Sequence, residues 1–170
     1  MKLIVGLGNI GQEYIHTYHN VGFECIDYLT SQANFEYKKK FLGEVYHQAD
    51  TFYLKPHTYM NHSGESVLAM KNYYQIEDQN ITIIHDDSDI PLGEYKIHQG
   101  RGSGGHHGIN SILSHISKDI TRIRIGIRGE QYMGWKAKDF VLRSISSEDK
   151  NILQTVYQTV ADEIKSQAII

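Results

Sequence analysis

The chain has 170 residues, the usual length of one domain. Its hydrophobic share of 40% and charged share of 22% are ordinary for a globular protein, and its single cysteine, Cys25, excludes an internal disulfide. The formal net charge of −3 argues against the broad basic surface of proteins that grip long nucleic acids, so any contact with RNA must be local. No apolar run approaches the ~20 residues of a membrane span, and the N-terminus lacks a signal-peptide pattern, so we expect a cytoplasmic protein.

The first half of the chain alternates between strand and helix patterns. They predict a strand, a helix, a β-hairpin and a second helix, over residues 2–7, 21–33, 43–48 with 51–55, and 64–74. Asn20 is a candidate N-cap for the first helix, and Ser63 or Ser66 for the second.

The second half continues the alternation with strands over residues 80–85, 93–98 and 122–127, and helices over residues 108–117 and 147–165. Ser146 or Ser147 opens the last helix, followed by two acidic residues that suit a helix N-terminus. Interleaved strands and helices predict an α/β fold. We expect a single three-layer domain over residues 1–170, with a mixed, mostly parallel twisted sheet and helices on both faces.

Polar residues gather where the predicted strands end. Asn9 follows the first strand, residues 85–87 (HDD) end or follow the 80–85 strand, and residues 57–61 follow the hairpin. Ligands of such folds bind beyond the carboxyl ends of the parallel strands. The sequence therefore brings asparagines, histidines and carboxylates to one rim.

Residues 6–11 (GLGNIG) match the glycine fingerprint of dinucleotide-binding proteins in spelling. That fingerprint needs an apolar helix at its third glycine, but Gly11 is followed by the polar and aromatic segment QEYIHTYHN. The simpler interpretation is a turn in which glycine permits close backbone approach.

Two histidine-containing segments could serve a site. His19 precedes the predicted helix at Val21, in a loop that also holds Asn20. Residues 85–89 (HDDSD) could hold a metal through oxygen and nitrogen ligands, could orient a histidine that acts as a general base, or could be a solvated acidic loop.

Two further segments could bind anions. Residues 100–108 (GRGSGGHHG) precede a helix and could present backbone N–H groups to phosphate or form a surface loop; they do not form G-x-S-x-G, because Arg101 occupies the first glycine position. Alternation places Arg122, Arg124 and Arg128 on one face of a strand, and Lys96 and His98 alternate on another, with Arg101 just beyond. If the strands are neighbours, they make a compact basic patch; otherwise they are a solvated face.

Taken in order, these segments resemble the bacterial peptidyl-tRNA hydrolase family. The resemblance covers Lys2 to about Leu142, and the terminal helix also fits. It rests on four pieces: VGLGNIGQEYIHTYHNVGF, TYMNHSGE, IIHDDSDIPLGEYKIHQGRGSGGHHGINSI and RIRIGI.

The resemblance implies hydrolysis of the ester between a peptide and the terminal ribose of tRNA, without metal or organic cofactor. It implies that His19 is the general base that activates water and that Asp86 orients its ring, while Asn9 and Asn61 position substrate and water and Asn9 helps to stabilise the oxyanion. It further implies substrate contacts by the remaining matched positions, which are Tyr14, Met60, His106, His107, Lys96 and Arg124. The implied partner is peptidyl-tRNA, with no DNA or membrane, and the implied state is a cytoplasmic monomer.

The chain departs from the family pattern at several positions. His107 stands where asparagine is usual, Ile10 replaces a proline, and the segment after RIRIGI reads RGEQYMGW. His98 stands where a fixed cation is common, and the chain ends earlier than is typical. These departures leave open a catalytically impaired relative that still binds tRNA. The residues also leave open a nucleotide-dependent oxidoreductase and an unrelated esterase.

Overall fold

The computed structural model describes residues 1–100 and 102–166, so Arg101 and residues 167–170 lie outside the description. Within these ranges the chain forms one seven-stranded sheet in the order β2-β3-β4-β1-β5-β7-β6. Its strands are β1 Lys2–Gly6, β2 Glu36–Lys38, β3 Gly43–Gln48, β4 Thr51–Pro56, β5 Ile81–Pro91, β6 Tyr95–Gln99 and β7 Thr121–Arg128. The four central strands β4, β1, β5 and β7 are parallel. Strands β3 and β6 run antiparallel to them at either side, and β2 is antiparallel to β3.

Four helices cover the two faces of the sheet: α1 Val21–Leu29, α2 Ser63–Tyr74, α3 His107–Leu113 and α4 Ser147–Lys165. Successive strand residues point to opposite faces. Accordingly Ile4 of β1 packs with residues of α1 and α4, while Leu3 packs with residues of α2 and α3. The predicted α/β fold, with a mixed sheet and helices on both faces, is confirmed. No helix in the described ranges is long and apolar enough to cross a bilayer.

Some predicted helices and strands have the bounds expected from the sequence, and others differ from the prediction. The hairpin and α4 are found where predicted, and the Ser146 hydroxyl caps α4 by accepting the Asp149 amide at 3.1 Å. The predicted caps of α1 and α2 are wrong, because neither helix has a side-chain N-cap hydrogen bond. Helix α1 ends at Leu29, earlier than predicted, and the short edge strand β2 was not predicted.

Strand β5 is longer than its apolar run. The sequence pattern predicted that the strand ends at residue 85, but it continues to Pro91. Asp86 and Asp87 therefore lie within the strand rather than beyond it. Their main chains pair with Ile125 and Gly126 of β7. The extra pairing is available because β7 also runs to Arg128, and a carboxylate at a strand position is tolerated when other groups satisfy it.

The predicted basic face of β7 is only partly correct. Strands β6 and β7 are neighbours, with Lys96 opposite Arg124 and His98 opposite Arg122. Arg122, however, is buried at 3% exposure, and Arg124 Nε donates to Asp87 Oδ2 at 2.7 Å. Alternation of side chains does not specify which face of a strand is covered. The proposed contribution of Arg101 falls outside the described residues.

Helix α1 begins against the backbone of β1. A Cβ at Gly22 would lie 2.5 Å from both Leu7 N and Ile84 O, far inside van der Waals contact. Only glycine therefore lets the start of α1 approach β1 and β5 this closely. Because His19 precedes α1 by two residues, this contact also fixes where His19 lies relative to β5.

We predict that Gly22→Ala lowers the free energy of unfolding by about 1–3 kcal/mol, the usual cost of overpacking, although alanine is the better helix former. Gly102→Ala is the matched control, since a Cβ there meets nothing within 4 Å, and it should change stability by no more than about 0.5 kcal/mol. Urea denaturation of both variants measures the difference. Equal stabilities would contradict the close approach.

Candidate active site

A cleft of about 870 Å³ lies beyond the carboxyl ends of β1 and β4 and beside residues 86–89 of β5, near the strand ends where α/β sheets bind ligands. Of the ten residues assigned to the site from sequence, eight line it: Asn9, Tyr14, His19, Met60, Asn61, Asp86, His106 and His107. Lys96 and Arg124 do not line this cleft. The folded chain therefore brings together four separate segments of sequence, from residue 9 to residue 107.

The Asp86 carboxylate is the centre of the site. Its Oδ1 lies 2.9 Å from His19 Nδ1 and 2.9 Å from His106 Nε2, and its side chain is 3% exposed. His19 stands before α1 and His106 before α3. One carboxylate oxygen thus joins helix starts on opposite faces of the sheet.

The hydrogen bonds fix the tautomers of both rings. His106 Nδ1 accepts the backbone N–H groups of Gly108 and Ile109 at 3.1 and 3.3 Å, which caps α3. Its proton must therefore be on Nε2, which donates to Asp86. An ionised carboxylate only accepts, so His19 donates from Nδ1 and its Nε2 keeps a lone pair for the cleft.

The environment sets the charge of these groups. Burial by itself would raise the pKa of Asp86, but His19 and His106 outweigh it and hold that pKa far below its usual range. Burial lowers the pKa of His19, but the charge and hydrogen bond of Asp86 outweigh this and raise it above 6.5. A fixed negative charge thus lies next to a histidine whose pKa is raised above its ordinary value.

A third histidine lies behind His106. The His85 ring is 1% exposed and packs edge-on against His106, with ring centroids 4.7 Å apart. Its Nδ1 donates to the main-chain oxygen of Asp86 at 2.7 Å. Burial, followed by the proximity of His106, holds the pKa of His85 well below its ordinary value. His85 is therefore neutral and supports the site by packing.

Asn9 is held by the side-chain amide of Asn20 and by the main chain of Met60. Asn20 Oδ1 accepts the Asn9 N–H at 2.8 Å, and Asn20 Nδ2 donates to Asn9 O at 2.9 Å. The side-chain oxygen of Asn9 accepts the Met60 N–H at 2.8 Å. Asn20 therefore fixes Asn9 instead of capping α1 as predicted, and Asn9 Nδ2 remains as the donor available to the cleft.

Tyr59, which the sequence did not single out, has an unusual backbone. Its φ of 57° and ψ of 163° are costly for a residue with a side chain. The Met60–Asn9 hydrogen bond and Ser63 Oγ, which donates to Met60 O at 2.9 Å, hold the turn. The half-exposed ring of Tyr59 meets Tyr14 edge-on at 6.4 Å between centroids. Strain is stored beside the site, where a rigid turn presents the next two residues.

The glycine-rich segment does not present its helix amides to an anion as one interpretation of the sequence suggested. Gly104 and Gly105 have positive φ values of 62° and 84° and line the cleft with Ser103. The first free amides of α3 already donate to His106. His107, the first residue of α3, is exposed in the cleft.

The described residues contain one group of possible metal ligands, His19, Asp86 and His106, whose ligand atoms lie within 4.8 Å of one another. A metal there would need His106 Nε2 as a deprotonated ligand. Its proton would move to Nδ1, which could no longer accept the two amides that it caps. A metal at residues 85–89, which the sequence also allowed, fits no better, because Asp87 pairs with Arg124.

A dinucleotide site at the glycine fingerprint is also poorly supported. No helix opens at Gly11; short turns follow, and α1 begins only at Val21. A Cβ at Gly8 would meet the Phe23 ring at 2.7 Å, so this glycine is needed for packing of α1. The fingerprint therefore matches in spelling but lacks the helix N-terminus that binds pyrophosphate.

Besides Tyr59, the cleft residues that were not assigned to the site from sequence include Ser88, Asp89, Lys136 and Lys138. The two lysines belong to a segment without long periodic elements, so no local pattern indicated them. Ser88 and Asp89 belong to the HDDSD segment noted in the sequence. Because the predicted strand ended at residue 85, the sequence did not indicate which way their side chains point.

Comparison with known proteins agrees with this architecture. The family model described as peptidyl-tRNA hydrolase matches residues 3–169. The peptidyl-tRNA hydrolase of Sulfurovum sp. is 40% identical over 98% of this chain and 88% of its own length. That of Aliarcobacter butzleri is 42% identical over 98% of this chain and 91% of its own length.

Solved structures of similar fold are also peptidyl-tRNA hydrolases. The crystal structure of peptidyl-tRNA hydrolase from Acinetobacter baumannii superposes with a TM-score of 0.87 at 33% identity, covering 97% of this chain and 87% of that one. The family match spans nearly the whole chain, and the resemblance inferred from the four sequence segments is confirmed. This chain belongs to the peptidyl-tRNA hydrolase family.

Proposed function

We propose that this chain hydrolyses the ester bond of peptidyl-tRNA, releasing free tRNA and peptide, with His19 as the general base. The single observation that carries the proposal is the hydrogen bond from His19 Nδ1 to the buried Asp86 carboxylate at 2.9 Å. It leaves the His19 Nε2 lone pair available to a water molecule in the cleft. The family relationship supports the same reaction.

In this mechanism His19 Nε2 takes a proton as water attacks the ester carbonyl. The imidazolium that forms is stabilised by Asp86, whose low pKa keeps it ionised throughout. His106 donates to the same oxygen and prevents the carboxylate from turning away. The tetrahedral intermediate finally collapses, the bond between the carbonyl carbon and the ribose oxygen breaks, and that oxygen takes the proton from the imidazolium to become a hydroxyl.

The oxyanion of the intermediate needs a donor that is already fixed. Asn9 Nδ2 meets this requirement, because Asn20 and Met60 hold the remaining polar atoms of Asn9. Asn61 follows Met60 in the strained turn and lines the cleft, where its amide positions substrate or water. Tyr14, Met60, His106 and His107 form the surrounding surface that receives the peptide and the terminal nucleotide.

The tRNA contact is local, as the net charge of −3 requires. Lys96 is exposed on the edge strand β6, next to Arg124 of β7. The Nε–H of Arg124 donates to Asp87, so the other N–H groups of its guanidinium are the ones that bind phosphate. In the cleft, Lys136 and Lys138 add positive charge. The proposal includes a cytoplasmic monomer with peptidyl-tRNA as its partner, and no DNA or membrane partner.

We predict that His19→Ala lowers kcat by about 10²–10⁴-fold, the usual contribution of a general base. The affinity for deacylated tRNA should stay within about twofold, since the phosphate contacts are elsewhere. The assay is release of the blocked amino acid from N-blocked aminoacyl-tRNA without added metal. Undiminished turnover would refute the base assignment. If wild type binds tRNA without hydrolysing it, a catalytically impaired relative replaces the proposal.

The pH dependence tests the role of Asp86. Activity requires neutral His19, whose pKa Asp86 raises above its ordinary value, so the rate should rise as pH increases through that raised pKa. Asp86→Asn keeps a hydrogen-bond acceptor but removes the charge that raises the pKa of His19. The acid limb of kcat/KM should therefore move to lower pH while kcat falls. The other titratable ring beside His19 is His106, at 5.2 Å between centroids. An unmoved acid limb would exclude the proposed coupling.

We predict that Lys96→Ala weakens tRNA binding and lowers the slope of log Kd against log salt concentration by about one. The matched control is Lys39→Ala, which removes an exposed lysine directly after β2, at the opposite edge of the sheet. Titration of tRNA at several salt concentrations measures both. Identical slopes for the two variants would place the phosphate contact elsewhere.

A further inference from the structure

One side of the cleft is a segment with little regular structure. Residues 136–142, named here the cleft wall, contribute Lys136, Ala137, Lys138, Val141 and Leu142 to the lining. Their regular structure is limited to one short turn, Ala137–Asp139. The wall therefore depends on other parts of the chain for its position.

The main chain of the wall pairs with the segment that contains His19. The His19 N–H donates to Val141 O at 2.8 Å, and the Tyr18 N–H donates to Arg143 O at 3.2 Å. Thr17 and Ser144 form an antiparallel bridge next to these bonds. His19 is thus held twice, through its ring by Asp86 and through its backbone by the wall.

The side chain of Tyr18 joins the same structures from inside. It is fully buried, and its hydroxyl donates to Asp149 Oδ2 in the first turn of α4. Gln131 Nε2 donates to the same oxygen at 3.0 Å. The Tyr18 ring lies 5.5 Å from Tyr132 and 6.2 Å from Phe140, both measured between centroids. Tyr18 and Asp149 are 131 positions apart, so this contact exists only in the folded chain.

The chemistry of this contact makes it rigid. Asp149 is 7% exposed, and a buried carboxylate is costly unless donors surround it. Burial, together with the hydrogen bond to Asp149, raises the pKa of Tyr18 far above its ordinary value, so its hydroxyl stays protonated. If Tyr18 moves, Asp149 loses a donor, and the loss of a partner from a buried charge costs more than an ordinary hydrogen bond.

We propose that Tyr18 and Asp149 are positioning residues whose hydrogen bond anchors the His19 segment, and with it the cleft wall that pairs with this segment, to the start of α4, and so keeps His19 Nδ1 on Asp86. The inference rests on the proposed role of His19 as the base. Because the His19 N–H is hydrogen-bonded to Val141 O, displacement of the wall moves the His19 backbone as well. The distance between His19 Nδ1 and Asp86 Oδ1 then increases. The substrate then meets a base that is less well oriented.

Tyr157 provides a matched control within the same core. It is 3% exposed, and its hydroxyl donates to Glu24 Oε2 at 3.1 Å, joining α4 to α1. Tyr157 does not line the cleft. Tyr18→Phe and Tyr157→Phe therefore remove the same buried group from the same core, but only the first removes a bond of the segment that pairs with the wall.

The experiment compares these two variants with wild type in kinetics, pH profile and tryptophan emission. Both should lose stability to a similar extent. Tyr18→Phe should lose about 10- to 100-fold in kcat, as expected for a displaced catalytic group, with an unchanged Kd for deacylated tRNA. Its acid limb should move to lower pH, because His19 is less firmly held by Asp86. Tyr157→Phe should match wild type in kcat, in the Kd for deacylated tRNA and in the position of the acid limb.

Trp135 reports on the wall directly. It is the single tryptophan of the chain, lies 5.7 Å from Tyr132 between ring centroids and has Arg143 over its ring at 4.9 Å. Its emission should shift to longer wavelength in Tyr18→Phe and stay unchanged in Tyr157→Phe. This readout does not depend on His19. Full activity of His19→Ala alongside a shifted emission in Tyr18→Phe would reject the base assignment and retain the wall connection.

Substitution of Asp149 distinguishes positioning from folding. Asp149→Asn keeps an oxygen that accepts from Tyr18 and should retain most of the activity, whereas Asp149→Leu should behave like Tyr18→Phe. If Tyr18→Phe fails to fold, Gln131→Ala tests the same connection, because it removes an exposed side chain that donates to Asp149. Its tryptophan emission and its acid limb should shift in the same directions as those expected for Tyr18→Phe. Wild-type kcat, pH profile and emission in Tyr18→Phe, or in Gln131→Ala and Asp149→Leu together, would overturn the proposal.

Discussion

A single buried carboxylate oxygen, Asp86 Oδ1, organises this protein's site. It accepts from His19 and from His106, each at 2.9 Å, and a charge at this depth persists only when such donors are present. The first donor precedes α1 on one face of the sheet, and the second precedes α3 on the other. Both helix starts must therefore converge on Asp86 in the middle of β5, which the close contact of Gly22 with Leu7 and Ile84 permits.

The same carboxylate determines the protonation of its neighbours. His106 has one nitrogen committed to the start of α3 and the other to Asp86, so neither is available to the cleft. His19 has one nitrogen committed and one directed to the cleft. Two histidines with the same partner thus have different roles, because only one of them caps a helix.

The neutral groups of the site are fixed by uncharged hydrogen bonds between amide side chains and the main chain. Asn20 holds Asn9, and Asn9 holds Met60 after the strained Tyr59. The strain is tolerated because several hydrogen bonds determine the turn together. Positive charge near the site comes from the wall lysines in the cleft and from Lys96 on β6, while Arg124 is partly neutralised by Asp87. This division suits a net-acidic protein that meets RNA over a small area.

Local sequence was sufficient to predict the elements with strong patterns, including β1, the hairpin and α4 with its Ser146 cap, because periodicity and caps act within a few residues. The ordered motifs also identified the family and the cleft residues from Asn9 to His107. Long-range contacts were needed to establish that β5 continues through Asp86, that Arg122 is buried, and that His106 both caps α3 and fixes Asp86. They alone joined Tyr18 to Asp149 and placed the wall lysines in the cleft. Each of these features depends on partners distant in sequence, and a buried polar group is stable only where folding supplies such a partner.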